Sequence, residues 1–262
     1  MDGNSETSRD RKPRGSDSCV FVGPTRVRKA LYPEIDFYPP AALGSVFRAA
    51  EAGYRRIGII DGFFGNTPSV WHKEVLYVIS KGIEVAGAAS TGALRAAELA
   101  PYGMRGIGKI YRLYRTAAIA DDDEVCVTHA IAELDFMPLS EPMISIRYTL
   151  RDLRHEGVVT REEEAAIAAE LKAAHFAERT LERIRSAFAR HLPEARAGAG
   201  FDSFMKARRD AKGEDGEYLL RWLGGPSREA PRPEWQFPRT VHWVHQFEDR
   251  IADVPQLHDR IV

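Results

Sequence analysis

The sequence predicts an α/β fold with a parallel-sheet core and helices on both faces, followed by a mostly helical C-terminal region. In the first half of the chain, short apolar runs alternate with segments of helical periodicity, and glycine or proline ends most of the runs. After about residue 130 helical periodicity dominates. We therefore divide the chain into a disordered polar tail (residues 1–17), an α/β core (18–130) and a mostly helical region (131–262).

Strands and helices of the core are predicted to alternate. Apolar runs predict buried strands at residues 19–22, 56–60 and 83–88. Helical spacing predicts helices at residues 41–52, 70–80 and 92–99. Such alternation implies parallel strands with right-handed crossovers, so the carboxyl ends of the strands share one edge. The loops after the three strands, at residues 23–25, 61–64 and 88–92, should meet at that edge, where open parallel sheets bind ligands.

Several helices are predicted in the C-terminal region. Residues 140–156 form the first, with Ser140 as its N-cap, and shorter helical pieces such as residues 217–223 come last. Between them, Thr160 and Glu163 make a capping box that opens one long amphipathic helix. Its apolar stripe consists of Ile167, Leu171, Ala174, Leu181, Ile184 and Phe188. We expect this stripe either to pack on the sheet or to meet a partner protein.

Composition and charge exclude several classes of protein. The 262 residues include 37 Lys+Arg and 38 Asp+Glu, a net charge of −1, which is not the basic field of a nucleic-acid-binding protein. No apolar run approaches the roughly 18 residues of a membrane-spanning helix, and the N-terminal segment lacks the apolar stretch of a secretory signal. Two cysteines without a CxxC motif fit a reducing compartment. We therefore expect a cytoplasmic protein that binds neither nucleic acid nor a membrane.

The turn after the third strand is the strongest candidate for chemistry. Residues 88–92 place a hydroxyl, that of Ser90, where a strand turns sharply into a helix, as in a nucleophile elbow. The amides of the first helical turn, at Thr91 and Gly92, stand behind it and can hold an anion together with the helix dipole. The alternative is that Ser90 or Thr91 only caps the helix.

Two basic side chains, His72 and Lys73, lie on the helix after the second strand. At 100° per residue, His72 shares a face with Val75, Leu76 and Ile79, so its ring should point inward while Lys73 borders the strand-end edge. A histidine in that position can transfer a proton near neutral pH. The alternative is a core histidine hydrogen-bonded to a carbonyl.

Three more charged residues are candidates for substrate binding. Asp61 ends the second strand, where a carboxylate orients a base or holds a hydroxyl, or else closes an Asx turn. Arg95 and Glu98 lie three residues apart on the helix behind Ser90 and can pair. In one alternative, the planar guanidinium of Arg95 binds an anionic group of the substrate. In the other, Arg95 and Glu98 form a solvated ion pair that contributes little to stability.

The other polar clusters are expected to be structural. Residues 121–124 are predicted to be a solvated acidic turn. His242 and His245 lack a third residue that would complete a metal site. Cys19 and Cys126 lie in apolar runs, so we expect both to be buried rather than reactive.

Taken in order, these segments resemble the TfuA-like core domain over roughly residues 19–128. The resemblance is carried by residues 20–25 (VFVGPT), 61–63 (DGF), 72–74 (HKE), 87–99 (GAASTGALRAAEL), 103–108 (GMRGIG) and 122–125 (DDEV). The chain departs from the family at Ala89 and Thr91, where serine and methionine are typical.

The resemblance implies a role beside YcaO enzymes, which use ATP to activate a backbone amide and replace its oxygen with sulfur. The TfuA-like partner is understood to hydrolyse the C-terminal thiocarboxylate of a small ThiS-type sulfur carrier and to hand sulfide to YcaO. The implied partners are therefore a YcaO enzyme, a ThiS-like carrier and a precursor peptide. No metal or cofactor is expected in this chain, because ATP and magnesium would belong to the YcaO enzyme.

This chemistry makes demands on the candidate residues. A thiocarboxylate is anionic, so cationic groups and amide dipoles must neutralise it before a nucleophile can attack. Ser90 is then expected to form an acyl-enzyme, with Lys73 or His72 as the base, or to position a water molecule. The residues expected to bind the substrate are Arg95, Asp61, Thr91, Gly92 and Glu98. Two alternatives stay open: a non-catalytic adaptor that docks the carrier or peptide to YcaO, favoured by the apolar stripe, and a hydrolase of an unrelated small molecule.

Overall fold

A parallel sheet of five strands forms the centre of the protein, as expected from the sequence. The computed structural model describes residues 16–63, 65, 67–226, 233–249 and 257. The strands are β1 Ser18–Phe21, β2 Ile35–Tyr38, β3 Arg56–Ile59, β4 Glu84–Gly87 and β5 Arg105–Gly106. Their spatial order is β2-β1-β3-β4-β5. β2 lies on one side of β1 and the later strands lie on the other, so the topological switch point is between β1 and β3. Ligands of open α/β sheets bind beside such a switch point, at the carboxyl ends of the strands.

Four helices accompany these strands: α1 Ser45–Glu51, α2 His72–Ser80, α3 Thr91–Leu99 and α4 Gly108–Arg115. The first is shorter than predicted because Gly44, with φ +88°, turns the chain just before it. The carboxylate of Glu74 then takes over the capping. It accepts hydrogen bonds from the N–H groups of Gly44 (3.1 Å), Val46 (3.2 Å) and Phe47 (3.3 Å), and from that of Trp71 at the start of α2 (2.9 Å). One buried carboxylate thus ties two helix starts together.

The first face of the sheet is covered by α1 and α2. Alternate strand residues point into this layer, because side chains along a strand alternate between faces. They are Cys19, Phe21, Ile57, Ile59 and Val85, all buried. This is the larger of the two apolar layers on the sheet.

The second face is covered from the far end of the chain. Val20, Val22 and Ala86 pack there against the helix of residues 211–224, described below. Gly58 permits this packing, since a Cβ at that position would lie 2.7 Å from Leu223 Cδ1. Part of the region predicted to be a helical appendage therefore completes the α/β core.

The C-terminal region is helical, as predicted, but its longest predicted helix is interrupted. The helices are α5 Met143–His155, α6 Arg161–Ala173, α7 Leu181–His191, α8 Glu194–Ala207 and α9 Ala211–Gly224. The prediction of one helix from Thr160 through Phe188 is therefore wrong. The chain leaves α6 at Ala174 and makes a 3₁₀ turn before α7, because Arg179 folds under the end of α6 and donates to the Leu171 carbonyl (2.9 Å).

The apolar stripe of this region is used inside the protein. Ile167, Leu171, Ile184 and Phe188 are fully buried together with residues of α5 and α8. The expectation that the stripe packs on the sheet or meets a partner is corrected, because these side chains form the core of a separate helical layer.

Two local expectations for this region also change. Ser140 does not cap α5, whose N-cap is Pro142; its hydroxyl accepts the Thr128 N–H instead (2.9 Å). The capping box at Thr160 and Glu163 is confirmed, with reciprocal bonds of 3.2 and 2.9 Å.

The predicted solvated acidic turn at residues 121–124 is instead an ion-pair junction. Arg179, which is fully buried, donates to the Asp123 carbonyl (2.8 Å) and carboxylate, and Lys172 bridges Asp123 and Glu124. Arg147 of α5 adds two hydrogen bonds to Glu124, both 2.9 Å. The cluster therefore joins the core to the helical layer.

The chain ends are described in part. Residues 1–15 of the predicted tail lie outside the described residues. Ser16 and Asp17, predicted to belong to that tail, are instead bonded: the Ser16 hydroxyl donates to the Glu34 carbonyl (2.5 Å), and the Asp17 carbonyl accepts two N–H groups. Near the other end, Trp243 is buried in a small aromatic cluster against α1 and α2. No helix within the described ranges is long and apolar enough to cross a membrane.

Candidate functional site

The three strand-end loops meet at the carboxyl edge of the sheet, as predicted. The Asp61 carboxylate, only 2% exposed, joins two of them, because it accepts the Gly23 and Thr25 N–H groups at 2.9 Å each and the Thr25 hydroxyl at 2.7 Å. The third loop packs beside them, since a Cβ at Gly62 would lie 3.1 Å from Thr91 Cγ2. Asp61 therefore organises the edge and is fully occupied in doing so.

A buried cation completes this arrangement. Lys212 of α9 is 4% exposed, and its ammonium lies 3.4 Å from Asp61 Oδ1 while donating to the Val125 carbonyl at 3.0 Å. A buried lysine of this kind is stable only when charge and hydrogen bonds compensate its desolvation. Lys212 was not among the predicted site residues.

The β4–α3 turn has the shape of an elbow. A Cβ at Gly92 would lie 1.8 Å from the Ile59 carbonyl oxygen, and one at Gly87 would lie 2.0 Å from the Gly92 carbonyl oxygen. The two glycines therefore let the start of α3 press directly on β3 and β4. Only residues without side chains fit where helix and strand approach this closely.

The strained residue of the elbow is Ala89 rather than Ser90. Ala89 has φ +66°, a left-handed conformation that costs an alanine roughly 1–2 kcal/mol. The Ser90 N–H turns back to the Ala88 carbonyl at 2.7 Å, which tightens the turn further. The seryl hydroxyl therefore lies one residue beyond the apex, and its residue is 7% exposed.

Ser90 occupies the N-cap position without capping the helix. Its hydroxyl makes no hydrogen bond to any other residue in the described part of the chain, and the Thr91 N–H also has no partner there. The reading in which Ser90 serves only as a cap is therefore wrong. A hydroxyl followed by a free amide is the pairing that holds an attacking oxygen and a developing oxyanion in acyl transfer.

His72, Arg95 and Glu98 form a compact group on the outside of α2 and α3. His72 Nε2 lies 2.8 Å from Glu98 Oε2 and 3.2 Å from Arg95 Nη1, and that Arg95 nitrogen donates to the same Glu98 oxygen at 2.5 Å. Burial alone would raise the pKa of Glu98, but the hydrogen bonds from His72 and Arg95 outweigh it and hold this pKa below its ordinary value. Glu98 is therefore the anion of the group.

The orientation predicted for His72 is wrong. Its side chain is 46% exposed, whereas Glu74 points into the core. The buried face of α2 consists of Glu74, Val75, Val78 and Ile79, so His72 lies at its edge. Glu74 can occupy this face because four backbone N–H groups satisfy its carboxylate.

Lys73 is directed toward the C-terminal segment. Its ammonium donates to the Pro238 carbonyl and the Thr240 hydroxyl, each at 3.1 Å, and lies 5.8 Å from the centre of the Phe237 ring. No hydrogen bond joins Lys73 to Ser90 among the residues that the structure describes.

The candidate residues thus fall into two groups rather than one. Asp61, Ser90, Thr91 and Gly92 share the carboxyl edge, whereas His72, Arg95, Glu98 and Lys73 lie on or beside α2 and along α3. Because a helix rises 1.5 Å per residue, Glu98 is about 12 Å along the α3 axis from Ser90. No hydrogen bond joins His72 to Ser90 among the residues that the structure describes.

The two cysteines differ in burial, and one of the two histidines makes a ring contact. Cys19 is fully buried, and Cys126 is partly buried, with burial as the main cause that raises its thiol pKa to about 11. His242 stacks on Trp71, with ring centres 4.9 Å apart. No three His, Cys, Asp or Glu side chains gather as a possible metal site within the described ranges.

Comparison with known proteins gives one finding. Residues 61–180 match the model of the family described as TfuA-like protein, whereas the curated proteins give no match. The matched segment begins at the residue that organises the edge of the sheet and ends at the residue that caps α7. It extends farther into the helical layer than the resemblance over residues 19–128, and it leaves out β1, β2, β3 and α9.

Proposed function

Because residues 61–180 match the model of the TfuA-like family, we propose that this chain hydrolyses a thiocarboxylated ThiS-type carrier to supply sulfide to a YcaO enzyme. The family is associated with YcaO-dependent thioamidation of peptide backbones. The hydrolytic activity, the ThiS-type carrier and a precursor peptide as partner go beyond this association and are our proposal. The reaction adds water to the thiocarboxylate carbon, breaks the carbon–sulfur bond and yields a carboxylate, hydrosulfide and one proton.

One observation supports the hydrolytic part most directly. Within the described part of the chain, the Ser90 hydroxyl at the strand-to-helix turn has no hydrogen-bond partner, and neither has the N–H of the next residue, Thr91. The hydroxyl would attack the carbonyl carbon or hold the attacking water, and the amide would stabilise the negative charge that develops on oxygen. Hydrosulfide is a good leaving group, so little acid catalysis is required at sulfur.

Proton transfer from Ser90 requires a base that the present arrangement does not provide. Lys73 and His72 were the candidates, and each is held by other groups. Lys73 binds only one carbonyl and one hydroxyl of the C-terminal segment, so displacement of residues 237–240 frees its ammonium. Docking of a partner on that segment would couple hydrolysis to assembly and limit the loss of free sulfide.

The test is a hydrolysis assay with purified protein and a thiocarboxylated ThiS-type carrier, in which released sulfide and the carrier mass are followed. Ser90→Ala should reduce sulfide release on the order of 10²-fold or more without weakening carrier binding. Ser80→Ala is the matched control, because that hydroxyl only donates to the Tyr77 carbonyl at the end of α2. Sulfide release by Ser90→Ala at the wild-type rate would remove Ser90 from the mechanism.

Two further experiments separate the possible roles. A covalent adduct with the mass of protein plus carrier, seen after rapid quenching of the wild type but not of Ser90→Ala, identifies an acyl-enzyme. Ala89→Ser restores a hydroxyl at the strained apex of the elbow, where serine is typical of the family. Rescue of Ser90→Ala by Ala89→Ser would assign the chemistry to the apex.

A non-catalytic adaptor is the second candidate, and a specific observation favours it. The Ser90 residue is only 7% exposed, and Lys73 is occupied by Pro238 and Thr240. The apolar stripe of the helical layer cannot serve as the docking face, because it is buried. Capture of a YcaO enzyme by wild-type protein that releases no sulfide from the carrier would select this alternative.

A further inference from the structure

An exposed apolar hairpin stands over the switch point of the sheet. Residues 128–139, here called the 128–139 hairpin, are closed by bonds from the Ala130 N–H to the Met137 carbonyl (2.8 Å) and from the Leu139 N–H to the Thr128 carbonyl (2.7 Å). Its large apolar side chains point outward: Ile131 is 66% exposed, Leu134 59%, Leu139 51% and Met137 43%. A concentration of exposed apolar side chains of this kind marks an interaction surface.

The hairpin is held firmly in this orientation. Phe136 is 3% exposed and packs on Phe63 and His129, with ring centres 6.4 and 5.6 Å away. Asp135 and Phe136 both have φ +49°, a left-handed conformation that persists only when surrounding contacts impose it. The backbone is therefore strained at Asp135 and Phe136, and this conformation buries Phe136 while the neighbouring apolar side chains face solvent.

A cleft of about 480 Å³ adjoins the hairpin through Met137, which lines it. Its charged lining residues are Arg26, Arg208, Arg209, Lys212, Glu141 and Asp210. Three of the four cations face carboxylates: Lys212 faces Asp61, Arg208 pairs with Glu141, and Arg209 pairs with Asp152 and Glu214. The apolar part of the lining includes Val127, Pro138, Pro142 and Met205. The cleft therefore combines apolar walls with one cation, Arg26, that forms no ion pair among the described residues.

Two of these cations have unused capacity. The Lys212 ammonium has three hydrogens, of which one donates to the Val125 carbonyl and a second faces Asp61 at 3.4 Å, so the third has no acceptor among the described residues. Arg26 is exposed and forms no ion pair with any side chain in the described ranges. Arg208 and Arg209, by contrast, are paired with carboxylates.

We infer that the cleft and the 128–139 hairpin together bind a protein partner by its carboxyl-terminal end, an extended chain that closes in a carboxylate or thiocarboxylate. The hairpin takes the apolar surface of the partner, the methionines Met137 and Met205 adapt to its last side chains, and Lys212 and Arg26 take the terminal anion. A free inorganic anion would use the cations but not the apolar surface that continues from them.

The place of the cleft fits this role. Lys212 and Thr25 in its wall contact Asp61, and the next residue, Gly62, packs on Thr91 beside Ser90. A chain end held by Lys212 therefore lies on the same edge of the sheet as the elbow. The inference rests on the proposed function only for the identity of the partner, a ThiS-type carrier.

The test measures binding rather than hydrolysis. The probe is an unmodified ThiS-type carrier with its C-terminal carboxylate, compared with the same carrier made with a C-terminal carboxamide. Leu134→Asp and Arg26→Glu should each weaken binding of the carboxylate carrier about tenfold, and the carboxamide should weaken it similarly. Binding should also fall as the salt concentration rises. Val241→Asp and Arg112→Glu, at exposed positions outside the cleft and hairpin, are the matched controls and should leave binding unchanged.

Each result bears on the inference separately from the proposed hydrolysis. Carrier that binds equally well to wild type, Leu134→Asp and Arg26→Glu overturns the inference, whatever the sulfide assay gives. Equal binding of carboxylate and carboxamide carriers overturns the assignment of the terminal anion. Competition by inorganic phosphate that removes the effect of Arg26→Glu but not that of Leu134→Asp supports the division of labour between cleft and hairpin. A wild type that releases no sulfide yet binds the carrier with the expected losses leaves the inference standing and the hydrolase proposal refuted.

Discussion

The Asp61 carboxylate and the Lys212 ammonium, both almost fully buried, lie 3.4 Å apart although they come from opposite halves of the chain. Asp61 ends a central strand, and Lys212 belongs to the helix that covers the second face of the sheet. The contact fixes that helix relative to the carboxyl edge. It also sets the position of Thr25, whose amide and hydroxyl both donate to the same carboxylate.

Loss of this carboxylate should be costly. Asp61→Asn removes the ion-pair partner of Lys212 and turns an amide NH₂ toward groups that are themselves donors, so unfolding free energy should fall by about 3–5 kcal/mol. Urea unfolding followed by circular dichroism measures this. Asp135→Asn is the matched control, because Asp135 is exposed, pairs with Lys29 and has φ +49°, which asparagine tolerates. Its effect should stay within about 1 kcal/mol.

The elbow should tolerate no added side chain. Gly92→Ala places a Cβ where the Ile59 carbonyl oxygen now lies 1.8 Å away, so α3 must shift from β3 and stability should fall by about 3 kcal/mol or more. Gly198→Ala is the control in an open part of α8, where nothing lies within 4 Å, and it should stabilise the protein by roughly 0.5–1 kcal/mol. Thermal unfolding of the two variants should therefore change in opposite directions. Equal melting temperatures would show that the elbow is not tightly packed.

Glu74 should make stability depend on pH. Burial raises the pKa of its carboxyl from 4.5 to about 7, against the opposing effect of four backbone N–H groups. The folded protein therefore keeps a proton that the unfolded chain loses, so unfolding free energy should fall as pH rises from 4.5 through 7 and level off above. The total change is on the order of 3 kcal/mol. Urea midpoints between pH 4 and 8 should show this slope in the wild type and not in Glu74→Gln.

Glu98 provides the opposite case. Its pKa is held below the ordinary value, so its contribution to stability is present at neutral pH and is lost as pH falls through the lowered pKa. Glu98→Gln should therefore leave the slope between pH 4.5 and 7 unchanged and alter only the acid limb of the curve. If Glu98→Gln changes the slope above pH 5, Glu98 contributes part of the pH dependence that is assigned here to Glu74.

The ion-pair junction should govern how the helical layer is held to the core. Arg179→Met leaves the Asp123 carboxylate without its buried partner and frees the carbonyls at the end of α6, which should cost about 3–5 kcal/mol. Arg183→Ala is the control, because Arg183 is 42% exposed and lies 3.9 Å from Glu170. That change should remain within about 1 kcal/mol. Hydrogen exchange should show faster opening of α6 and α7 in Arg179→Met alone.

Local pattern was sufficient for the central elements. β1, β3 and β4 are apolar runs with clear ends, and the elbow is recognisable because glycines flank a hydroxyl between a strand and a helix. β2 was missed because Asp36 interrupts its apolar residues in a short stretch between Pro33 and Pro39. β5 was missed because its two residues, Arg105 and Gly106, carry no apolar side chain, so pairing with β4 defines it more than its own sequence. The break before α7 was missed because buried Arg179, not glycine or proline, causes it.

The site was harder to predict than the fold, because its contacts join distant parts of the chain. Convergence of the loops followed from topology, whereas the partnership of Lys212 with Asp61 has no signal in the residues around either. His72 and Glu98 are grouped as active-site residues often are, yet α3 carries Glu98 away from Ser90. Residue type identified the predicted candidates, whereas the path of the backbone determines which side chains are in contact.

Because α9 covers the second face of the sheet, the order in which the chain is synthesised affects its folding. β1 is synthesised about 200 residues before Leu219 and Leu223, which pack over it. Until they emerge from the ribosome, Val20, Val22 and Ala86 remain exposed to water and to other nascent chains. A product truncated before α9 should therefore aggregate rather than accumulate as a smaller folded unit, and cells should need chaperones to bring the full chain safely to completion.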